Sequence, residues 1–200
     1  MARKVERWSP NNLPAVGAIY AEYGSLPLRE LSIVTSAVLD TALAELLTLR
    51  LIDISKESED FLGLDGDGRA PVASFGSRIQ LALLLGLIAE KDAAILRALK
   101  ELRNLFAHRS QIAFDSPETR KVTAKLHVLW TKCQGIVDES SVSESSPVVW
   151  KHLARDLPSH ESATAGLILW VFAAYHLKFQ RLYPNVQRVH DAFQSGPKKK

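Results

Sequence analysis

The chain has 200 residues, of which 46% are apolar and 24% are charged, and its formal net charge is +3. This composition is ordinary for a globular chain with one domain and room for an appendage, and so slight a positive charge argues against a dedicated nucleic-acid-binding protein. Cys133 is the only cysteine, which excludes an internal disulfide and a cysteine-rich zinc site.

Neither a signal peptide nor a membrane span is expected. The chain starts Met-Ala-Arg-Lys-Val-Glu-Arg-Trp, which lacks the apolar segment of a signal peptide. The longest apolar runs, at residues 81–89 and 165–175, are about half of the ~20 residues that a spanning helix needs. We therefore interpret both runs as buried core helices and expect a cytoplasmic protein without membrane contact.

The first long helix is predicted from Pro27 to about Leu51, after a short helix over residues 15–23. The long helix is apolar nearly all round, so it is expected at the centre of the fold. Asp40 interrupts this apolar pattern and has small or apolar neighbours one turn away. A carboxylate on such a face needs a cationic partner, and we expect Arg103 to be that partner.

Capping signals divide the middle of the chain into three further helices. Ser74 is expected to cap a helix that ends at Gly86, and the next helix covers residues 90–107. Ser116 followed by Pro117 is a strong signal for the start of another helix, because serine caps the first turn and proline suits its first position.

The C-terminal part contains a linker and one strongly apolar helix. Residues 138–146, Asp-Glu-Ser-Ser-Val-Ser-Glu-Ser-Ser, have the composition of a flexible linker. Residues 162–182 form an apolar helix that Pro184 is expected to stop. This helix must bury against the first bundle or against a second subunit. We therefore expect a homodimer, with residues 165–175 or the helix over residues 90–107 at its interface.

The predicted fold is all-α, a bundle of roughly five to seven helices with a C-terminal helical extension. No alternation of β-branched residues is long enough to predict a sheet. The expected organisation is a helical bundle over residues 1–137, the serine-rich linker over residues 138–146 and the extension over residues 147–200.

The most informative stretch is residues 101–108, Glu-Leu-Arg-Asn-Leu-Phe-Ala-His. At about 100° per residue, the helix over residues 90–107 carries two opposed stripes. Its polar stripe is made of Arg97, Glu101, Asn104 and His108, and its apolar stripe is made of Ile95, Leu99, Leu102 and Phe106. Arg103 leaves the helix beside the apolar stripe, where a guanidinium needs an acidic or carbonyl partner.

Residues 103–108, Arg-Asn-Leu-Phe-Ala-His, resemble the Arg-Asn-x-x-x-His signature of the HEPN (higher eukaryotes and prokaryotes nucleotide-binding) superfamily. Over residues 28–135, the order of further runs around this motif is similar to the mannitol operon repressor family of bacterial helical proteins. These runs are Leu-Asp at 39–40, Phe-Gly-Ser-Arg-Ile at 75–79, Leu-Gly-Leu-Ile at 85–88 and Phe-Asp at 114–115.

The HEPN resemblance implies a metal-independent ribonuclease in which two motifs meet across a dimer. In that reading His108 accepts the proton of an RNA 2′-hydroxyl, because an imidazole takes up and returns protons near neutral pH. Arg103 stabilises the charge that develops on the phosphate. Asn104 orients His108 or a phosphate oxygen, and Glu101 supports His108. Such an enzyme could be the toxin half of a toxin–antitoxin pair.

The same residues have a structural interpretation, which we favour. Arg103 and Asp40 can pin two helices together, and Asn104 and His108 can attach the following loop, residues 109–114, to the bundle. The resemblance to the mannitol operon repressor family then implies a bacterial regulatory protein whose partner is another protein.

Other functions find no support in the sequence. The remaining histidines lack the spacing of metal ligands, and no phosphate-binding, dinucleotide-binding or hydrolase motif is present. We therefore expect no metal and no cofactor. No basic helix follows a turn in the way of a helix-turn-helix motif, which argues against direct reading of DNA bases. RNA is a partner only in the ribonuclease reading.

Overall fold

The computed structural model describes residues 21–51, 56–66, 68–109, 112–132 and 160–194. Over these residues the regular structure is entirely helical, which confirms the predicted all-α fold. The described helices are α1 (Leu28–Arg50), α2 (Lys56–Leu62), α3 (Phe75–Leu84), α4 (Glu90–His108), α5 (Pro117–Lys132) and α6 (His160–Gln194). The predicted linker over residues 138–146 lies outside the described residues, so the three-part organisation stays a prediction.

Short capping motifs set the ends of α3 and α5, as predicted. The Ser74 hydroxyl accepts a hydrogen bond from the backbone N–H of Ser77, and the Ser77 hydroxyl accepts one from the backbone N–H of Ser74. Gly86, at φ +68°, follows α3 in the left-handed conformation that glycine adopts without strain. Before α5, the Ser116 hydroxyl accepts from the Thr119 N–H at 3.2 Å. Local sequence therefore determines both helix starts.

Helix α6 corrects one prediction, because it continues through Pro184 instead of stopping before it. A proline inside a helix removes one backbone hydrogen bond and costs roughly 3 kcal/mol. Val186 is buried just beyond it, at 7% exposure. Continuation of the helix keeps this apolar side chain buried, which offsets part of the cost.

The chain divides into two compact units. In its described part, the first, named the Asp40 unit, comprises residues 39–89 and 176–194, apart from 52–55 and 67. The described part of the second, named the motif unit, comprises residues 21–38, 90–132 and 160–175, apart from 110–111. Each has a core of leucine, isoleucine and aromatic side chains, with Leu43, Leu46, Leu47, Leu62 and Ile79 in the first, and Leu31, Ile95, Leu96, Leu102 and Phe172 in the second.

A buried arginine organises the Asp40 unit. Arg78 in α3 donates from Nη1 to Asp40 Oδ1 at 2.8 Å, from Nη2 to the Leu62 carbonyl at 2.8 Å and from Nε to the Val72 carbonyl at 3.1 Å. The expectation that Arg103 would be the partner of Asp40 is therefore wrong. Helical periodicity shows that Asp40 needs a cation, whereas the choice of cation depends on which helix packs beside it.

Within the motif unit, the apolar part of α6 is covered by its own chain. Phe172 and Tyr175 are each 1% exposed, and the Tyr175 hydroxyl donates to the buried Asp92 carboxylate of α4 at 3.1 Å. The Trp170 ring meets the Trp130 ring of α5 edge-on, with centroids 5.7 Å apart. Of the two burial surfaces expected for this helix, the first bundle is thus the one it uses. The homodimer stays a prediction.

Among the described helices, α1 is long and apolar enough to cross a membrane on length and composition alone, with a mean hydropathy of 1.5 over its most apolar window. Of that window, 67% is buried inside the protein. This burial matches the central position that its all-round apolar pattern predicts.

Candidate binding groove on the motif helix

The Arg-Asn-Leu-Phe-Ala-His motif forms the last turns of α4, within the motif unit. The predicted apolar stripe of this helix is buried throughout: Ile95, Leu99, Leu102 and Phe106 are all at most 3% exposed. Burial of this stripe fixes the rotation of α4 about its axis. The polar stripe consequently points away from the core.

The polar stripe lines an open cavity of about 440 Å³, here named the motif groove. All four residues predicted for the stripe contribute to it, and three neighbours complete the lining. The full set is Arg97, Lys100, Glu101, Asn104, Leu105, His108 and Arg109. Three of these side chains are cationic and one is acidic. The groove is thus a surface with excess positive charge, built almost entirely by one helix.

Arg103 does not line the groove. Its side chain is half-buried, and its Nη1 donates to the Asn104 Oδ1 at 3.2 Å. This bond directs the amide oxygen toward Arg103, and the N–H groups of Asn104 are donors that it can offer to a ligand. Arg103 therefore positions Asn104, and the cations that face the groove are different residues.

Glu101 is held by Lys125 across the helix pair α4 and α5. The Lys125 Nζ lies 2.8 Å from the Glu101 Oε2, with both side chains about half exposed, at 53% and 47%. The acidic charge of the groove is thereby compensated at its edge. This contact directs one carboxylate oxygen to Lys125, and the expected support of His108 by Glu101 stays a prediction.

The C-terminal end of α4 is held by Arg29 of α1. Its Nη2 donates to the Arg109 carbonyl at 3.2 Å, and its guanidinium carbon lies 5.9 Å from the centre of the Phe106 ring. A cation at this position donates to a terminal carbonyl and interacts favourably with the negative end of the helix dipole. This contact fixes the turn that carries His108.

His108 is exposed at the mouth of the groove. Within the described part of the chain its imidazole makes no hydrogen bond or ion pair. Its neighbour Arg109 lies 3.7 Å from the Glu118 carboxylate of α5, so Arg109 provides the observed link between the helix end and α5. The structural interpretation expects His108 to attach residues 109–114 to the bundle. Among the described residues, no contact of the His108 side chain does so.

Sequence reasoning missed Lys100, Leu105 and Arg109 as groove residues. Lys100 lies one turn before Asn104, and Leu105 lies one turn after Glu101, so a wider helical stripe would have included both. It also missed Arg78, although the run Phe-Gly-Ser-Arg-Ile around it had been singled out. No sequence signal indicates that Arg78 reaches Asp40.

Among the residues that the structure describes, no group of three or more His, Cys, Asp or Glu side chains could hold a metal ion. Comparison with known proteins adds no relative: no family model, no curated protein and no solved structure matches the chain.

Proposed function

We propose that the chain is a cytoplasmic regulatory protein that acts by binding another protein through the motif groove, without reading DNA bases. The observation that carries this proposal is the separation of α4 into a fully buried apolar face and a polar face that lines an open cavity. The resemblance to the mannitol operon repressor family supports a regulatory role.

The groove suits protein contact better than duplex DNA. A DNA-reading helix lies in the major groove and presents several polar side chains to base edges and phosphates. The exposed face of α4 instead offers an open recess in which cations surround an apolar residue and a compensated acid. Recesses that mix charge and apolar surface are typical of protein interfaces, where electrostatic complementarity selects the partner.

The test is complementation in cells that lack the gene. We expect the wild-type gene to restore the transcript profile, and Lys100→Glu, inside the groove, to fail. Lys91→Glu is the matched control, because Lys91 is exposed on the same helix but does not line the groove. Full restoration by Lys100→Glu would contradict the proposal. Purified protein is expected to bind the affected promoter DNA only weakly and without sequence preference.

A second candidate function is the metal-independent ribonuclease, which the exposure of His108 favours. His108 shares the groove with Asn104 and with cations that can receive a phosphate. Attack of the 2′-oxygen on its own phosphodiester, with the 2′-proton passing to His108, would form a 2′,3′-cyclic phosphate and expel the 5′-oxygen, which takes up a proton. The positions of Arg97, Lys100 and Arg109 suit phosphate contact better than that of Arg103. Two grooves would meet in a homodimer.

Incubation of pure protein with total RNA in EDTA tests this candidate. We expect cleavage to survive chelation and to leave cyclic phosphate ends, and His108→Ala to lower the rate by ~10²–10⁴-fold. Light scattering at micromolar concentration should show a dimer. Intact RNA with both proteins, or a monomer at all concentrations, would count against the enzyme.

A further inference from the structure

We propose that the motif groove binds a short acidic segment of a partner protein, one in which Asp or Glu side chains flank an apolar residue. This inference rests on the proposed function, because it identifies the chemistry of the partner that the groove would recognise. It goes further by assigning each side of the groove to a part of that segment.

The charges of the groove indicate an anionic ligand. Arg97, Lys100 and Arg109 line it together with one acid, Glu101. The Lys125 ammonium, 2.8 Å from Glu101, compensates that acid from outside the lining. Lys100 is half-buried, and within the described ranges its ammonium group makes no ion pair or hydrogen bond. An incoming carboxylate therefore finds a partly desolvated cation without having to displace an existing carboxylate from it.

The remaining lining residues suit a peptide. Leu105 is half-buried within the lining and offers an apolar contact beside the cations. Asn104, whose oxygen accepts from Arg103, offers N–H donors to a carbonyl or carboxylate of the segment. A volume of about 440 Å³ lies in the range of sites for small ligands and short peptide stretches.

The same lining argues against single-stranded RNA as the preferred ligand. Recognition of single strands depends on aromatic side chains that stack on the bases, and no aromatic side chain other than the His108 imidazole is among the seven lining residues. Phe106, the nearest aromatic residue in sequence, is buried at 3% exposure. Glu101 would also interrupt a continuous track for phosphates.

The experiment uses the full-length protein and two labelled probes. The first is a fluorescein-labelled peptide in which Asp and Glu alternate with Leu and Ser, with an Asn/Gln version of the same peptide as its control. The second is a labelled oligouridylate. Fluorescence anisotropy gives the dissociation constant for each probe with wild type, Lys100→Glu, Lys100→Gln, Glu101→Gln and the matched control Lys91→Glu.

We expect the acidic peptide to bind wild type and Lys91→Glu equally, and Lys100→Glu at least ~10-fold more weakly, with Lys100→Gln in between. Glu101→Gln should bind ~2–5-fold more tightly, because it removes a repelling carboxylate and releases Lys125. Binding should weaken as salt is raised. Partial unfolding cannot produce the gain in affinity expected for Glu101→Gln. The test therefore stays decisive even if Lys100→Glu does not fold correctly.

Several outcomes would overturn the inference. These are equal binding of the Asn/Gln peptide, tighter binding of the oligouridylate than of the acidic peptide, no binding of any probe, or no response to Glu101→Gln. If the acidic peptide does not bind but Lys100→Glu still fails to complement, the regulatory function stands and only the acidic partner is ruled out. If the peptide binds but Lys100→Glu complements fully, the proposed function is ruled out instead.

Discussion

The two units of the chain each contain a carboxylate paired with a cation at 2.8 Å, but at very different depth. In the Asp40 unit, the side chains of Arg78 and Asp40 are 10% and 22% exposed, and Arg78 also binds two backbone carbonyls. In the motif unit, Lys125 and Glu101 are about half exposed. Removing one partner of a buried pair leaves an uncompensated charge and strongly destabilises the fold, whereas an exposed pair contributes little to stability and stays available to a ligand.

The largest effect is expected from Arg78→Ala. The substitution leaves Asp40 without its observed cation and removes the donors to the Leu62 and Val72 carbonyls. Breaking one side of such a buried pair costs ~3–5 kcal/mol. Urea denaturation should show this loss in the free energy of unfolding. A loss below about 1 kcal/mol would mean that breaking the buried pair affects the free energy of unfolding no more than breaking the exposed pair.

A buried histidine makes stability depend on pH. Burial lowers the pKa of His176 from 6.5 to about 4, and the residue is 1% exposed. Above pH 6.5 both the folded and the unfolded states carry it neutral. Between pH 6.5 and about 4 only the unfolded state gains the proton, so stability falls as the pH drops, by up to roughly 3 kcal/mol in total.

Unfolding free energies measured from pH 7 to pH 4 for wild type and His176→Gln would check this pH dependence. The variant should lose the histidine's part of the decline. Parallel curves for wild type and His176→Gln would show that burial does not affect the charge of His176.

A smaller effect is expected from Tyr175→Phe in the motif unit. The change removes the hydroxyl that donates to the fully buried Asp92 carboxylate at 3.1 Å and keeps the ring in place. Loss of a hydrogen bond to a buried charged group costs ~1.5–3 kcal/mol. Thermal denaturation of Tyr175→Phe beside wild type measures this loss. Equal melting temperatures for the two proteins would contradict the expected contribution.

The smallest effect on stability is expected from Lys125→Ala, at most ~1 kcal/mol, because the pair with Glu101 is exposed. The same change uncovers the Glu101 carboxylate at the edge of the groove. It should therefore weaken binding of the acidic peptide by ~2–5-fold while the melting temperature stays nearly constant. A large loss of stability with unchanged peptide binding would reverse the roles assigned to the two ion pairs.

Much of the fold was predictable because it depends on local sequence. Serine caps, a glycine after α3 and the period of the apolar residues gave the helices and the buried stripe of α4. The cation that pairs with Asp40 was not predictable, because tertiary packing brings Arg78 to it. Continuation of α6 through Pro184 was missed for the same reason, because the burial of Val186 depends on tertiary packing.

For the candidate site, the sequence predicted the polar stripe but not its width. Arg97, Glu101, Asn104 and His108 line the motif groove as their spacing suggested. The position of Arg103 could not be read from spacing, because a side chain between two stripes can turn either way. In the structure it turns to Asn104.

The most direct test of the central claim, that the motif groove is the binding surface of this protein, is a map of the amide chemical shifts. Isotope-labelled protein would be titrated with the acidic peptide and followed by heteronuclear nuclear magnetic resonance. The largest shifts should fall within residues 97–109 of α4 and its end, and they should disappear in Lys100→Glu. Shifts concentrated in the Asp40 unit, or unchanged spectra at saturating peptide, would contradict the claim.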